Sequence, residues 1–155
     1  MKRSKKVLIL RFSSYGDVAI MVPVLRSLSM THPEVNFKVV SRPKMAPLFD
    51  EFRNIDFIGI DLENNFKGIT GLWNLFKSLK KLKPTHIADL HYVIRTRIIS
   101  FLFKMYGFKV KSINKGRAEK KALTRFKNKI FQPLTPTVFR YSKVFISLGF
   151  PNDIT

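Results

Sequence analysis

The chain holds 155 residues, with 29 Lys and Arg against 10 Asp and Glu, a formal charge of +19. That length suits one domain, and 45% hydrophobic residues with only 7 Gly and 8 Pro exclude a disordered or collagen-like chain. The absence of Cys excludes a disulfide scaffold, a thiolate metal site and a Cys nucleophile, and 3 scattered His do not suggest a zinc centre.

No apolar run approaches the roughly 18 residues of a membrane span. The opening MKRSKKVLIL has a basic start before apolar residues, but only Val7 to Leu10 precede Arg11, and no cleavage site follows. It reads as a buried first strand rather than a secretory signal, so a cytoplasmic location is expected. The cation excess asks for an anionic partner: nucleic acid, a phosphorylated small molecule or an anionic membrane face. Residues 77–127 hold fifteen basic and two acidic side chains, a local excess of thirteen. Within them Lys77, Lys80, Lys81 and Lys83 read as a solvated helix face.

The elements follow in order. Residues 6–11 form a short apolar strand. In 17–30, Val18, Met21, Val22, Leu25 and Leu28 share one helical face, with Pro23 as a kink or first-turn residue. A second strand is predicted over 35–40, a short helix over 43–52 and a third strand over 55–60. Leu72, Leu75, Phe76 and Leu79 mark a helix over 71–82, stopped by Pro84. A fourth strand spans 86–90, a helix 94–106 and a fifth strand 108–113. A basic stretch, 115–129, leads to a last helix over 136–148 with Val138, Tyr141, Phe145 and Leu148 inward. This alternation predicts one α/β domain: a Rossmann-like parallel sheet with helices on both faces.

In such sheets ligands sit at the carboxyl ends of the strands. Those ends carry Arg11 to Asp17, Arg42 and Lys44, Lys67, His91 to Arg97, and the stretch from Lys111 to Arg125. Each of them brings at least one cation. Neither a dinucleotide G-x-G-x-x-G nor a P-loop is present, since Gly16 stands alone. Ser13 and Ser14 fit either an anion site at a helix N-terminus or a plain helix cap. Asp17 sits where a substrate would lie, as a general base must, but a helix N-terminus stabilises the carboxylate and weakens it as a base, so position alone leaves its role open. Of the histidines, His32 reads as a surface residue and His86 as structural. His91 is the one placed near a site, with a packing role an equal alternative.

Lys6 to Val18 followed by Pro23, the segment Ala88-Asp89-Leu90-His91 through Arg95-Thr96-Arg97, the stretch 115–125 and the stretch 136–151 with Arg140-Tyr141 together resemble the lipopolysaccharide heptosyltransferases, glycosyltransferase family nine. The resemblance covers nearly the whole chain. It implies the N-terminal, acceptor-binding half of a GT-B enzyme, without the nucleotide-sugar domain and inactive alone. It implies Asp17 as the general base of an inverting transfer from ADP-heptose, with no metal and no cofactor. Ser13, Ser14 and Gly16 would shape the turn. Arg95, Arg97 and Arg117 would meet the anionic lipid A–core acceptor, and Arg42, Lys44, Lys67 and His91 join them by placement. Tyr15 stands where the family often has an aliphatic residue, and Thr96 where Ser is usual. The implied setting is peripheral, at the cytoplasmic face of the inner membrane, with no nucleic acid. The alternatives are a basic nucleic-acid-binding domain, disfavoured because most of the 15 Phe fall at apolar periodic positions, and a truncated non-catalytic relative.

Overall fold

A computed structural model describes residues 3–154. The elements are β1 (Lys6–Leu10), α1 (Tyr15–Thr31), β2 (Asn36–Ser41), a 3-10 turn (Pro43–Phe49), β3 (Ile55–Gly59), α2 (Gly68–Lys81), β4 (His86–Asp89), α3 (Ile94–Met105), β5 (Lys109–Ser112), α4 (Arg117–Thr124) and α5 (Thr137–Ser147). The five strands form one sheet in the order β3-β2-β1-β4-β5, and every neighbouring pair is parallel. The chain therefore runs outward from β1 to one edge, then returns across β1 to build the other half.

The pleat of β1 divides the core. Val7 and Ile9 point to one face, with Val18, Met21 and Leu25 of α1 and Tyr141 and Phe145 of α5. Leu8 and Leu10 point to the other, with Leu72, Leu75 and Phe76 of α2 and Ile99 and Phe103 of α3. A strand covered on both sides needs apolar residues at every position, which is why VLIL does not alternate. The last strand, β5, is an edge. Its Lys109 and Lys111 are exposed, and edge lysines discourage pairing with another chain.

Three local features depart from the sequence reading. α1 begins at Tyr15, so Asp17 sits in its first turn and Pro23 lies inside the helix rather than in its first turn. Pro23 is exposed there; it has no N–H to give the carbonyl four residues back. The basic stretch contains a helix, α4, which its sparse apolar pattern conceals. His32 is not a bare surface residue. Its Nε2 lies 2.8 Å from the Pro151 carbonyl and its ring meets Phe150 edge-on, tying the end of α1 to the C-terminal segment. His86, buried beside the Thr85 hydroxyl, is structural as expected. The lysines of α2 are solvated, with Lys80 over the Tyr106 ring.

Candidate active site

Because all strands are parallel, their carboxyl ends lie on one edge, and the first loop meets the fourth and fifth there. Arg11 closes the apolar run of β1 and is buried. One guanidinium nitrogen donates to the Leu90 carbonyl at 2.9 Å, and another lies 2.7 Å from the Asp17 carboxylate. The two side chains are unequal: 10% of Arg11 is exposed, against 40% of Asp17. Arg11 is thus the fixed partner and Asp17 the accessible one.

Ser14 caps α1 and donates its hydroxyl to Asp17 Oδ2 at 2.7 Å. Partial burial pushes the Asp17 carboxyl upward, but the Ser14 hydroxyl and the Arg11 charge outweigh it and hold the group below its ordinary value. Asp17 is therefore ionised at neutral pH. From the far end of the chain, the Tyr141 hydroxyl donates to the Asp17 carbonyl at 3.2 Å. Burial raises Tyr141 to about 12, so it remains a donor.

His91 packs edge-on against Phe12, and its Nδ1 accepts the Phe12 N–H at 3.3 Å. Burial and the cations Arg11 and Lys115 pull His91 down to about 4. A ring nitrogen that accepts an N–H carries no proton, so geometry and charge agree on neutral imidazole. Beneath it, buried Asp89 accepts from the N–H groups of His91 and Tyr92 at 3.0 and 2.8 Å. Burial pushes Asp89 upward against these bonds. Asp89 thus builds the turn that presents His91.

Two cavities open on this edge. One, of about 370 Å³, is bordered by Arg11, Asp17, Lys115, Lys120, Thr135 and Tyr141. The other, of about 920 Å³, lies between α3 and the β5–α4 segment and is bordered by Arg97, Phe101, Lys104, Lys115 and Arg117. Lys115 belongs to both. Burial and the neighbouring Arg11 and Arg117 charges lower its pKa, as expected for a cation placed among cations. Arg140 holds the shared wall. Its buried guanidinium donates to the carbonyls of Thr135 and Asn114 and to the Glu119 carboxylate. Gly116, with φ of +66°, lies so close that a Cβ there would fall 2.2 Å from Arg140 Nη2.

The expected residues divide accordingly. Asp17, Ser14 and His91 come together around Arg11, with half-buried Ser13 and exposed Gly16 in the same turn. Arg97, over the Tyr92 ring, and Arg117 border the larger cavity. Arg42 is paired with Glu63 at 2.8 Å. Lys44, Lys67 and Arg95 are exposed and border neither cavity. Arg11, Lys115 and Tyr141 border the smaller cavity, and the sequence gives none of them a site role. A cation ending an apolar strand was the available signal for Arg11. For Lys115 and Tyr141 the signal was weaker, since many basic and many inward aromatic residues compete. Among the described residues, no group of three or more His, Asp and Glu is placed to hold a metal ion, and no helix is long and apolar enough to cross a membrane.

No family model matches the chain. A curated relative, the lipopolysaccharide core heptosyltransferase OpsX of Haemophilus influenzae, is 27% identical over 117 residues, covering 73% of this chain and 33% of that protein. The fold matches a glycosyltransferase of family nine from Veillonella parvula with a TM-score of 0.67 at 20% identity, over 100% of this chain and 44% of that one. It also matches the E. coli heptosyltransferase WaaC with ADP-2-deoxy-2-fluoro heptose, with a TM-score of 0.67 at 16% identity, over 97% and 50%. A UDP-N-acetylglucosamine 2-epimerase is more distant, with a TM-score of 0.56 over 92% and 40%. The chain spans about a third of the curated relative and about half of the solved heptosyltransferase.

Proposed function

We propose that this heptosyltransferase-like domain is the acceptor-binding part of an inverting glycosyltransferase. It works with a nucleotide-sugar-binding domain and does not turn over alone. The transfer is from ADP-heptose or a similar nucleotide sugar to a lipopolysaccharide core acceptor, at the cytoplasmic face of the inner membrane. The observation that supports this best is the accessible Asp17 carboxylate held by buried Arg11 at the mouth of a cation-lined cavity.

Asp17 takes the proton of the acceptor hydroxyl as that oxygen bonds to the anomeric carbon. The bond from that carbon to the ADP oxygen breaks, and its electron pair leaves with ADP. A carboxylate held below its ordinary pKa is a weak base in the ground state. It is suited to a hydroxyl already made acidic by bond formation. Arg11 fixes the orientation of the carboxylate, and Ser13, Ser14 and Gly16 shape the turn. Lys115, Arg97 and Arg117, which border the cavities, meet the phosphates of the acceptor. The nucleotide sugar is a substrate in this scheme, and no resident cofactor is assigned.

Calorimetry with heptose-deficient lipid A–core and its dephosphorylated form tests the reading. The phosphorylated acceptor is expected to bind the chain at least about tenfold more tightly, as charge-assisted contacts require. Equal affinity, or none for either, overturns it. Transfer is then measured with a polypeptide that carries both domains.

A further inference from the structure

Between α4 and α5 the chain runs Arg125-Phe126-Lys127-Asn128-Lys129-Ile130-Phe131, three cations interleaved with three apolar residues. Phe126 is 94% exposed and Phe131 82% exposed, with Ile130 exposed as well. The segment is folded against the end of α4. The Ile130 N–H donates to the Ala122 carbonyl at 3.0 Å, and the Arg125 guanidinium donates to the Asn128 carbonyl. Asn128 takes the left-handed conformation at its apex. From Lys120 to Asn152 the sequence has no acidic residue.

A soluble surface does not gain by holding two phenyl rings in water, and neither ring is the tip of an amphipathic helix. Aromatics interleaved with cations, without acids, fit an interface that is apolar beneath and anionic above. We propose that residues 125–131 are a membrane-docking element. In it Phe126, Ile130 and Phe131 enter the acyl boundary of an anionic bilayer, while Arg125, Lys127 and Lys129 pair with lipid phosphates. Charge complementarity selects this occupant. The segment leads on one side into Lys120 and on the other into Leu134 and Thr135, all at the smaller cavity. Docking therefore sets the mouth of that cavity at headgroup level. The inference deepens the membrane part of the proposed function and does not depend on the reaction.

The whole chain is sedimented with vesicles of phosphatidylcholine, alone or with about 30 mol% phosphatidylglycerol, at ~0.1 M salt. Binding is expected only with the anionic vesicles. The double variant F126A/F131A is expected to bind at least about tenfold more weakly, since each ring contributes apolar burial. K127E/K129E is expected to lose at least about 25-fold, near fivefold per charge removed. Met30→Ser, at an exposed methionine on α1, serves as the control and is expected to bind normally. Phe126→Trp in a Trp73→Phe background is expected to shift its emission to the blue on binding and to be quenched by brominated acyl chains. This readout stands even if the double variant fails to fold. Unchanged binding by F126A/F131A, no blue shift at position 126, or tighter binding to single-stranded DNA than to anionic vesicles overturns the proposal. The vesicles contain no lipid A–core, so failure here leaves the acceptor reading standing, and the reverse.

Discussion

Arg11 and Asp17 form an unequal ion pair, 2.7 Å apart, in which the cation is buried and the carboxylate faces the cavity. The pair also has a third member, since Arg11 donates to the Leu90 carbonyl. Breaking it has two separable effects. Asp17→Asn keeps the size and hydrogen bonding of the side chain but cannot take a proton. In a two-domain polypeptide kcat is expected to fall about 100- to 10,000-fold, the usual range for a general base. Thermal unfolding is expected to show a loss of only about 1–2 kcal/mol, because Asp17 is part-exposed and the pair is partly screened. Near-normal kcat for Asp17→Asn removes it as the base.

Lys115 offers a different signature. Lys115→Met removes a cation shared by both cavities while keeping the length of its stem. The acceptor KM is expected to rise about tenfold with little change in kcat, the pattern of lost uniform binding. A matching fall in kcat without a KM effect would place Lys115 elsewhere in the reaction.

His91 makes stability depend on pH. Its pKa is about 4 in the folded protein against 6.5 unfolded, so between those values the unfolded chain binds more protons. Stability therefore rises with pH through that window and is lost as pH falls from 6.5 towards 4, by roughly 2–3 kcal/mol. Asp17, also held low, contributes in the same direction only below about pH 4, so the windows are distinct. His91→Gln can still accept the Phe12 N–H without titrating. Urea unfolding of this variant is expected to lose most of the slope between pH 6.5 and 4, leaving only the opposed contributions of His86, held low by burial, and Asp89, held high by burial. The wild-type slope persisting in His91→Gln would assign the effect to another group.

Gly116→Ala tests the Arg140 clasp. The added Cβ meets both a guanidinium at 2.2 Å and an unfavourable φ of +66°. A cost of about 1–3 kcal/mol is expected from the backbone and the displaced side chain. Limited proteolysis is expected to cut faster between residues 114 and 136, the segment that Arg140 ties down. Cleavage unchanged from wild type would mean that α4 is held by other contacts.

The sheet was legible because its physics is local. A strand such as VLIL, buried on both faces, cannot hide its composition, and the α2 pattern of Leu72, Leu75, Phe76 and Leu79 matches its buried set. The position of Asp17 was legible for the same reason, since a strand followed by Ser-Ser-x-Gly-Asp marks a turn into a helix. What the sequence could not display was pairing across the fold. Arg11 looks like any end-of-strand cation until Leu90 arrives beside it. Arg140 looks like a surface charge on α5 until Asn114, Glu119 and Thr135 close around it. Helix α4 was hidden because no residue in it is buried; its position depends on Gly116 and Arg140, not on a periodic stripe.

The Tyr141 hydroxyl meets the Asp17 carbonyl across 124 residues of sequence. This has a consequence for the order in which the protein is made. A nascent chain released only as far as α3 already carries Arg11 and Asp17, with the Leu90 carbonyl available to Arg11. It lacks the helix that fills the groove beside α1 and fastens the turn from behind. The loop after β1 leaves the ribosome well before α5 yet is completed only with it, and the cavity at its mouth takes its final shape only when α5 docks.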